Sequence, residues 1–486
     1  MLPNAWTWFR LVVRGVAATV PMGMRAMLKR VRIKGYKSLV DVQVDLQPLS
    51  VLFGPNAAGK SNFLDALQLL SRMAVSRTLK EAFQPPYRGK PLESYHFGSG
   101  GLDDLLQQES AMFSIEVDVE LAPGVVESVN RQIREMRKGN PPETFESGEL
   151  ERSPRILEES GDYEARAGLE RRDERTPALV RERNLRYRID VEILPKSGIL
   201  RVSDEYLAAL TTKGTVTRSR KPFLERMKSR LHLRMEGQAH PTYYERYLDH
   251  SILSLPLYPP HYPHLVAMRA ELSRYFFFYF EPRERMRAPS PVREVRHIGV
   301  MGEELAAFLN TLKAVDPAQF RAVEKALRMI VPSVTGIDVD VNRLGEVDLW
   351  LIEGDLRVPA RVVSEGTLRV LGLLALTGAK DPPAVLGFEE PENGVHPRRV
   401  RLIAELLRTR AATGESQLIV TTHSPILPDL IPDSGLFLCR KQRGCTLIEP
   451  FTTWGSLGRR KDIDEGLDDE LSTSQRIMRG DYDASD

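Results

Sequence analysis

One octapeptide constrains this chain more than any other stretch: Gly54, Pro55, Asn56, Ala57, Ala58, Gly59, Lys60 and Ser61 form a complete G-x-x-x-x-G-K-S pattern. The setting matches the motif. VDLQPLSVLF (44–53) before it is an apolar strand pattern, and NFLDALQLLSRM (62–73) after it has apolar residues at helical spacing. Gly54 and Gly59 let the backbone curl so that successive N–H groups face one anion, with the helix dipole behind them. Lys60 is placed to reach terminal phosphates, and Ser61 to offer its hydroxyl to Mg²⁺. A glycine-rich loop can match this pattern by chance, but a strand-loop-helix context argues against that. Residues 54–62, Asn62 included, are expected to bind a nucleoside triphosphate.

The rest of the composition bounds the protein class. A chain of 486 residues, 42% hydrophobic and 28% charged, is long enough for two or three domains and needs no covalent staples. Net charge is only +2, which gives no global case for a polyanion partner, but its distribution is uneven. No acid precedes Asp41, and the tail from Asp462 onward is strongly acidic and expected to be solvated. Cys439 and Cys445 are the only cysteines, flanking an expected hairpin, and are read as reduced thiols of a cytosolic protein. No apolar run is long enough to span a membrane. Residues 1–26 are apolar, basic and acid-free; a targeting or amphipathic segment is one reading, and a translational start placed too early is the one adopted.

Five segments are expected: an N-terminal extension (1–26), a first nucleotide-core piece (27–121), an inserted α+β lobe (122–290), a second core piece (291–450) and an acidic tail (451–486). Strand patterns occur at 27–46, 110–121, 185–194, 198–202 and 275–282. In 127–186, mixed charge and scattered Pro and Gly predict short helices with flexible connections. The aromatic run YFFFYF (275–280) points side chains to both faces, so it is read as core rather than as a base-stacking platform. PPHYPH (259–264) lacks a metal-ligand spacing. Helices are expected at 303–316, 320–331, 366–379 and 396–412, strands across 336–364, and buried strands at 384–388 and 417–422. Short buried strands alternating with helices imply a mainly parallel α/β core.

A phosphate loop needs a carboxylate at a neighbouring strand end to hold Mg²⁺, and a group to orient the attacking water. AVLGF followed by Glu389, Glu390 and Pro391 supplies two acids: Glu389 for the magnesium shell, Glu390 to polarise water. TTHSP (421–425) ends the next strand, with His423 available to sense a γ-phosphate. Ser364, Glu365 and Gly366 precede a helix, a second anion-binding helix start without its own lysine. It makes sense as a lid over a phosphate held by another subunit.

This order of motifs resembles the ABC-type ATPase head, and EEPENGVHP with TTHSP looks like the RecF/SMC-like and OLD-like AAA-domain ATPases. The resemblance covers about 27–121 and 295–440. It implies an α/β fold with a mixed sheet, an antiparallel β edge and a large insertion. It implies ATP and Mg²⁺ as ligands, with Lys60 and Ser61 on phosphate and metal, Glu389 as the Walker B acid, Glu390 as catalytic base and His423 as switch histidine. Ser364 and Gly366 would be the signature contacting ATP in trans, and 393–396 the D-loop. Glu389 departs from the usual Asp, and no Q-loop glutamine is assigned; Gln84, Gln107 and Gln108 are the candidates. Too few residues follow His423 for the TOPRIM nuclease domain of OLD-like nucleases, so any effector is expected to be a separate protein.

The expected function is an ATPase that dimerises around ATP and couples nucleotide state to DNA or a partner protein, in DNA repair or phage defence. The alternative is a nucleotide-dependent scaffold restraining a separate nuclease or toxin, with slow hydrolysis and no DNA role. RSRK (218–221) and RERMR (283–287) are the basic clusters available to DNA, or equally solvated faces. A transporter head is disfavoured by the size of the insertion.

Overall fold

The computed structural model describes residues 27–98, 100–138, 178–228, 230–236, 242–245, 247–376, 382–453 and 472–479. The chain opens with β1 (Met27–Tyr36), β2 (Leu39–Asp45), β3 (Leu49–Phe53), helix α1 (Lys60–Met73), β4 (Ala111–Glu120) and α2 (Pro123–Arg137). Then come β5 (Asn184–Leu194), β6 (Ile199–Ala209), β7 (Leu224–Met227), β8 (Arg230–Leu233), β9 (Thr242–Glu245), α3 (Pro263–Leu272), β10 (Tyr275–Phe278) and β11 (Ser290–Pro291). The last third holds α4 (Leu305–Val315), α5 (Pro317–Ile330), β12 (Gly336–Val341), β13 (Glu346–Glu353), β14 (Leu356–Pro359) and α6 (Glu365–Leu376). It ends with β15 (Val385–Glu389), α7 (Pro397–Thr413), β16 (Gln417–Thr422), β17 (Leu436–Gln442), β18 (Cys445–Pro450) and α8 (Thr473–Arg479).

The described residues form three sheets. The six-stranded sheet runs β10-β15-β16-β3-β17-β18, parallel throughout except for the final hairpin. Its central strands read as continuous apolar runs because both faces are covered. Leu52 and Ile419 face one core, with α1, while Val51, Phe53, Leu418 and Val420 face the other, with α4–α7. YFFF of β10 lies at the edge of this sheet, with Phe277 and Phe278 buried, as a core strand requires.

The eight-stranded sheet, β2-β1-β4-β5-β6-β7-β8-β9, is antiparallel and takes strands from both sides of residue 121. Strict alternation in β5 buries Leu185, Tyr187, Ile189 and Val191. The opposite face carries cross-strand ion pairs: Arg186–Asp118 at 2.6 Å, Arg188–Asp204 at 2.6 Å and Arg201–Glu192 at 2.7 Å. The small third sheet, β11-β13-β12 with β14 on β13, precedes α6.

One sequence expectation is adjusted here. The strand expected at 198–202 runs on to Ala209, because the polar run Ser203-Asp204-Glu205 is buried with partners. Glu205 accepts bonds from Tyr187 Oη (2.8 Å), Ser251 Oγ (2.7 Å) and the Ile252 N–H (2.7 Å). The cysteines do flank a hairpin, but Cys439 stands opposite Ile448 and Cys445 opposite Gln442, so they do not face one another. His264 of the PPHYPH stretch is buried, with Nδ1 2.7 Å from Glu236 and Nε2 accepting the Arg181 and Glu182 N–H groups. Most of 127–186 beyond α2 lies outside the described residues, as do 1–26 and most of the tail.

Candidate functional site

Register fixes where the chemistry gathers. Glu389 pairs with Thr421 and Thr422 with Phe53, so β15, β16 and β3 end together at their carboxyl edge. That edge is where parallel α/β sheets bind ligands. The glycine loop follows β3, the acid pair follows β15, and His423 follows β16.

The loop is held in a conformation that only small residues allow. Gly54 (φ 144°), Ala57 (φ 61°) and Gly59 (φ 94°) all have positive φ. A Cβ at Gly54 would stand 2.1 Å from the Cys439 carbonyl oxygen, and one at Gly59 2.0 Å from Thr446 Oγ1. Helix α1 starts at Lys60 with no side chain capping its N-terminus, which leaves its first N–H groups for an anion. Lys60 is 6% exposed, and its ammonium donates to the Gly54 (2.9 Å) and Pro55 (2.8 Å) carbonyl oxygens. Burial pulls its pKa below the usual lysine value. Asn62 donates to Ser38 Oγ at 2.8 Å, tying the helix start to the β1–β2 turn.

Ser61 donates its hydroxyl to Glu389 Oε1, across 328 residues of sequence. A hydroxyl and a carboxylate converging beside an uncapped helix start form a hard-oxygen donor set that suits Mg²⁺, and the loop cradle suits a polyphosphate. Glu390 sits at φ 48°, a strained conformation for a residue other than glycine and more so before proline. Its N–H bonds the Thr421 carbonyl at 2.9 Å, and His423 Nδ1 lies 2.8 Å from its Oε1. Two motifs separated in sequence thus meet as a carboxylate–imidazole pair at the site mouth.

Ser364, Glu365 and Gly366 are assembled differently. Ser364 Oγ caps its own helix, accepting the Thr367 N–H at 3.2 Å, and Glu365 pairs with Arg283 at 2.7 Å. Gly366 is buried against Gly394. Among the described residues no hydrogen bond joins 364–366 to 54–61. The side chains of Gln84, Gln107 and Gln108 are exposed and bond none of the site residues.

Three residues absent from the sequence reading complete the site. Arg88 bridges Glu389 Oε2 (2.6 Å) and Asp65 Oδ1 (2.7 Å) while lying over the Tyr279 ring at 4.8 Å. Asp65, one turn beyond Ser61 on α1, also holds Lys37 at 2.8 Å. Its signal was legible, since it is the single acid in an otherwise buried helix; Arg88 lies in a Pro- and Gly-rich loop with no pattern. Glu392 is buried, accepts the Thr422 hydroxyl, and is pushed above the ordinary glutamate pKa by burial, with Oε2 unpartnered among the described residues.

Strand-loop-helix, paired acids and convergent strand ends define a P-loop nucleotide-binding head. Comparison with known proteins narrows the class. The family model "AAA ATPase domain" matches residues 27–120, and "AAA domain, putative AbiEii toxin, Type IV TA system" matches 254–429. A segment of 44 residues is 43% identical to the OLD nuclease of Thermus scotoductus (strain ATCC 700910 / SA-01). That match covers 9% of this chain and 8% of the nuclease. Among solved structures, the chain is similar to an SmcHead bound to the C-winged helix domain of ScpA (13% identity, 87% of this chain, 97% of that chain, TM-score 0.44). It is also similar to a Pyrococcus furiosus Smc head domain with an extended coiled coil, bound to the C-terminal domain of ScpA (11%, 90%, 100%, 0.46). Both matching models describe AAA-type ATPase domains, one ending at residue 120 and the other beginning at residue 254. Among the described residues no helix is long and apolar enough to cross a membrane.

Proposed function

We propose that this chain binds Mg²⁺·ATP, hydrolyses it to ADP and phosphate, and closes head to head with a second copy around the nucleotide. The observation that carries the reading is the Ser61–Glu389 hydrogen bond, flanked by buried Lys60 on one side and the Glu390–His423 pair on the other. Lys60 exchanges its two carbonyl partners for phosphate oxygens, and the loop N–H groups hold the polyphosphate. Ser61 and Glu389 hold the metal, whose chemistry is charge neutralisation at the phosphate oxygens. Glu390 accepts a proton from the attacking water, and His423 fixes the carboxylate's orientation. Ser364 and Gly366 complete the site of the opposite copy; that 364–366 make no bond to their own phosphate loop supports this division. Within the expected lobe 122–290, strands β5 to β9 are assigned as the part carrying specificity, since β10 is an edge strand of the nucleotide sheet.

A second reading rests on a separate observation: both acids already have cationic or imidazole partners, Glu389 with Arg88 and Glu390 with His423. A site whose acids are both already engaged suits slow hydrolysis, a sensor or scaffold that restrains a separate effector. DNA receives less support. In the two basic clusters Arg220 pairs with Glu236, Arg283 with Glu365 and Arg285 with Glu281. Phosphate release with and without Mg²⁺, alongside sedimentation with and without ATP, tests the main reading. Turnover unaffected by Lys60→Ala would sink it, and ATP-dependent assembly without measurable turnover would select the scaffold. DNA-stimulated turnover that falls steeply with salt would restore the DNA reading.

A further inference from the structure

Helix α7 carries a feature the nucleotide chemistry does not use. Arg398, Arg401 and Arg408 lie along one side of it, at i, i+3 and i+10, all exposed. Their guanidinium groups form no ion pair or hydrogen bond among the described residues. Beside this row run two depressions of about 420 and 760 Å³, both walled by α7 on one side and by residues 426–435 on the other. Their lining is apolar where it meets the core: Leu402, Ile426 and Leu430 at one end, Leu49, Ile431 and Pro432 at the other. Among the described residues that line them, Glu405 is the one acid.

We infer that the α7 groove docks an acidic amphipathic helix from a partner protein, its carboxylates on Arg398, Arg401 and Arg408 and its apolar side chains in the two depressions. The dimensions suit that occupant: the eleven residues of α7 from Arg398 to Arg408 span ~15 Å, about three helical turns, and an incoming helix presents apolar anchors at i, i+3/i+4 and i+7 over that length. The charges select the partner and steer its approach, while apolar burial supplies most of the affinity, since exposed, solvent-screened ion pairs contribute little each. A nucleic acid fits less well, because an apolar floor and Glu405 offer nothing to a phosphate backbone. The groove begins directly after residues 389–396, so its occupant sits against the loop that carries the acid pair. The inference does not depend on whether the head hydrolyses ATP.

The test uses the full chain and a fluorescein-labelled peptide with leucines at helical spacing and glutamates between them, followed by anisotropy. Saturable binding is expected, weakened about tenfold or more, a loss of about 1.4 kcal/mol, by the pair Arg401→Glu and Arg408→Glu. Replacing the peptide leucines with serine is expected to weaken it equally. Unchanged thermal melting and ATP binding show that the charge-reversed protein is folded. Four results overturn the inference: no binding to the unmodified chain; binding unchanged by charge reversal; a DNA duplex competing as well as the peptide regardless of its leucines; or binding only after Asp462, Asp464, Glu465, Asp468, Asp469 and Glu470 are neutralised, which would assign the groove to the chain's own acidic segment.

Discussion

Gly366, at the start of α6, packs backbone against backbone on Gly394, in the loop following the acid pair: a Cβ at Gly366 would stand 2.1 Å from the Gly394 carbonyl oxygen. Carbonyl oxygens do not yield as side-chain ends do, so Gly366→Ala must push the two segments apart. Overpacking of this kind costs ~1–3 kcal/mol. The expected outcome is that loss in urea unfolding, with ATP-dependent dimerisation impaired and nucleotide affinity of the monomer unchanged. Gly124→Ala, in α2 with open space around its Cβ, is the control and should be neutral or slightly stabilising.

The Ser61–Glu389–Arg88 chain makes a prediction about metal demand. Arg88 neutralises the carboxylate that magnesium would need, so Arg88→Gln should lower the Mg²⁺ concentration for half-maximal nucleotide binding, by up to about tenfold if ~1.4 kcal/mol of competition is removed. Ser61→Ala should raise it, having lost an oxygen ligand. Titrating Mg²⁺ against a fluorescent ATP analogue reads both, and a higher requirement in Arg88→Gln would show that Arg88 supports the metal instead of competing with it.

What could be read from the sequence follows from how local each signal is. The loop, the acid pair and His423 were legible because strand ends and turn residues are written in consecutive positions. The parallel core was legible because β3, β15 and β16 are apolar on both faces. Arg88 was not, since its partners Asp65 and Glu389 are joined only by tertiary packing. Nor was the second half of β6, where burial of Glu205 depends on Tyr187 and Ser251 from two other segments. Polar residues with satisfied partners break the alternation on which strand reading rests.

Glu271 of α3 gives the fold a pH dependence. It is fully buried, accepts the Ala122 N–H at 2.9 Å just ahead of α2, and is pushed by burial from 4.5 up to about 7. An acid whose folded pKa is raised contributes fully below its unfolded pKa, and that contribution is lost as pH rises through the folded value. Across this window the loss is ~3 kcal/mol. Glu271→Gln keeps an acceptor for Ala122 but cannot ionise, so the variant should gain on the wild type as pH rises from about 5 to about 8. Parallel urea unfolding at both pH values measures the difference, and equal slopes for the two proteins would place the titration elsewhere.

Glu390 offers the sharpest test of the proposed chemistry. Its strained backbone and its 2.8 Å contact with His423 are the kind of arrangement a folded chain retains when the side chain's position matters. Glu390→Gln preserves size and the ability to bond His423, but removes the basicity needed to take a proton from water. A general base contributes ~10²–10⁴-fold, so turnover should fall by that factor while ATP binding through Lys60 and Ser61 persists. With hydrolysis blocked, the closed dimer should accumulate and be visible by sedimentation in ATP but not in ADP. Lys60→Ala combined with Glu390→Gln should abolish that dimer, which separates trapping by bound nucleotide from association caused by the neutral side chain itself. Turnover equal in wild type and Glu390→Gln would remove Glu390 from the base role and turn attention to Glu392, the other carboxylate beside His423.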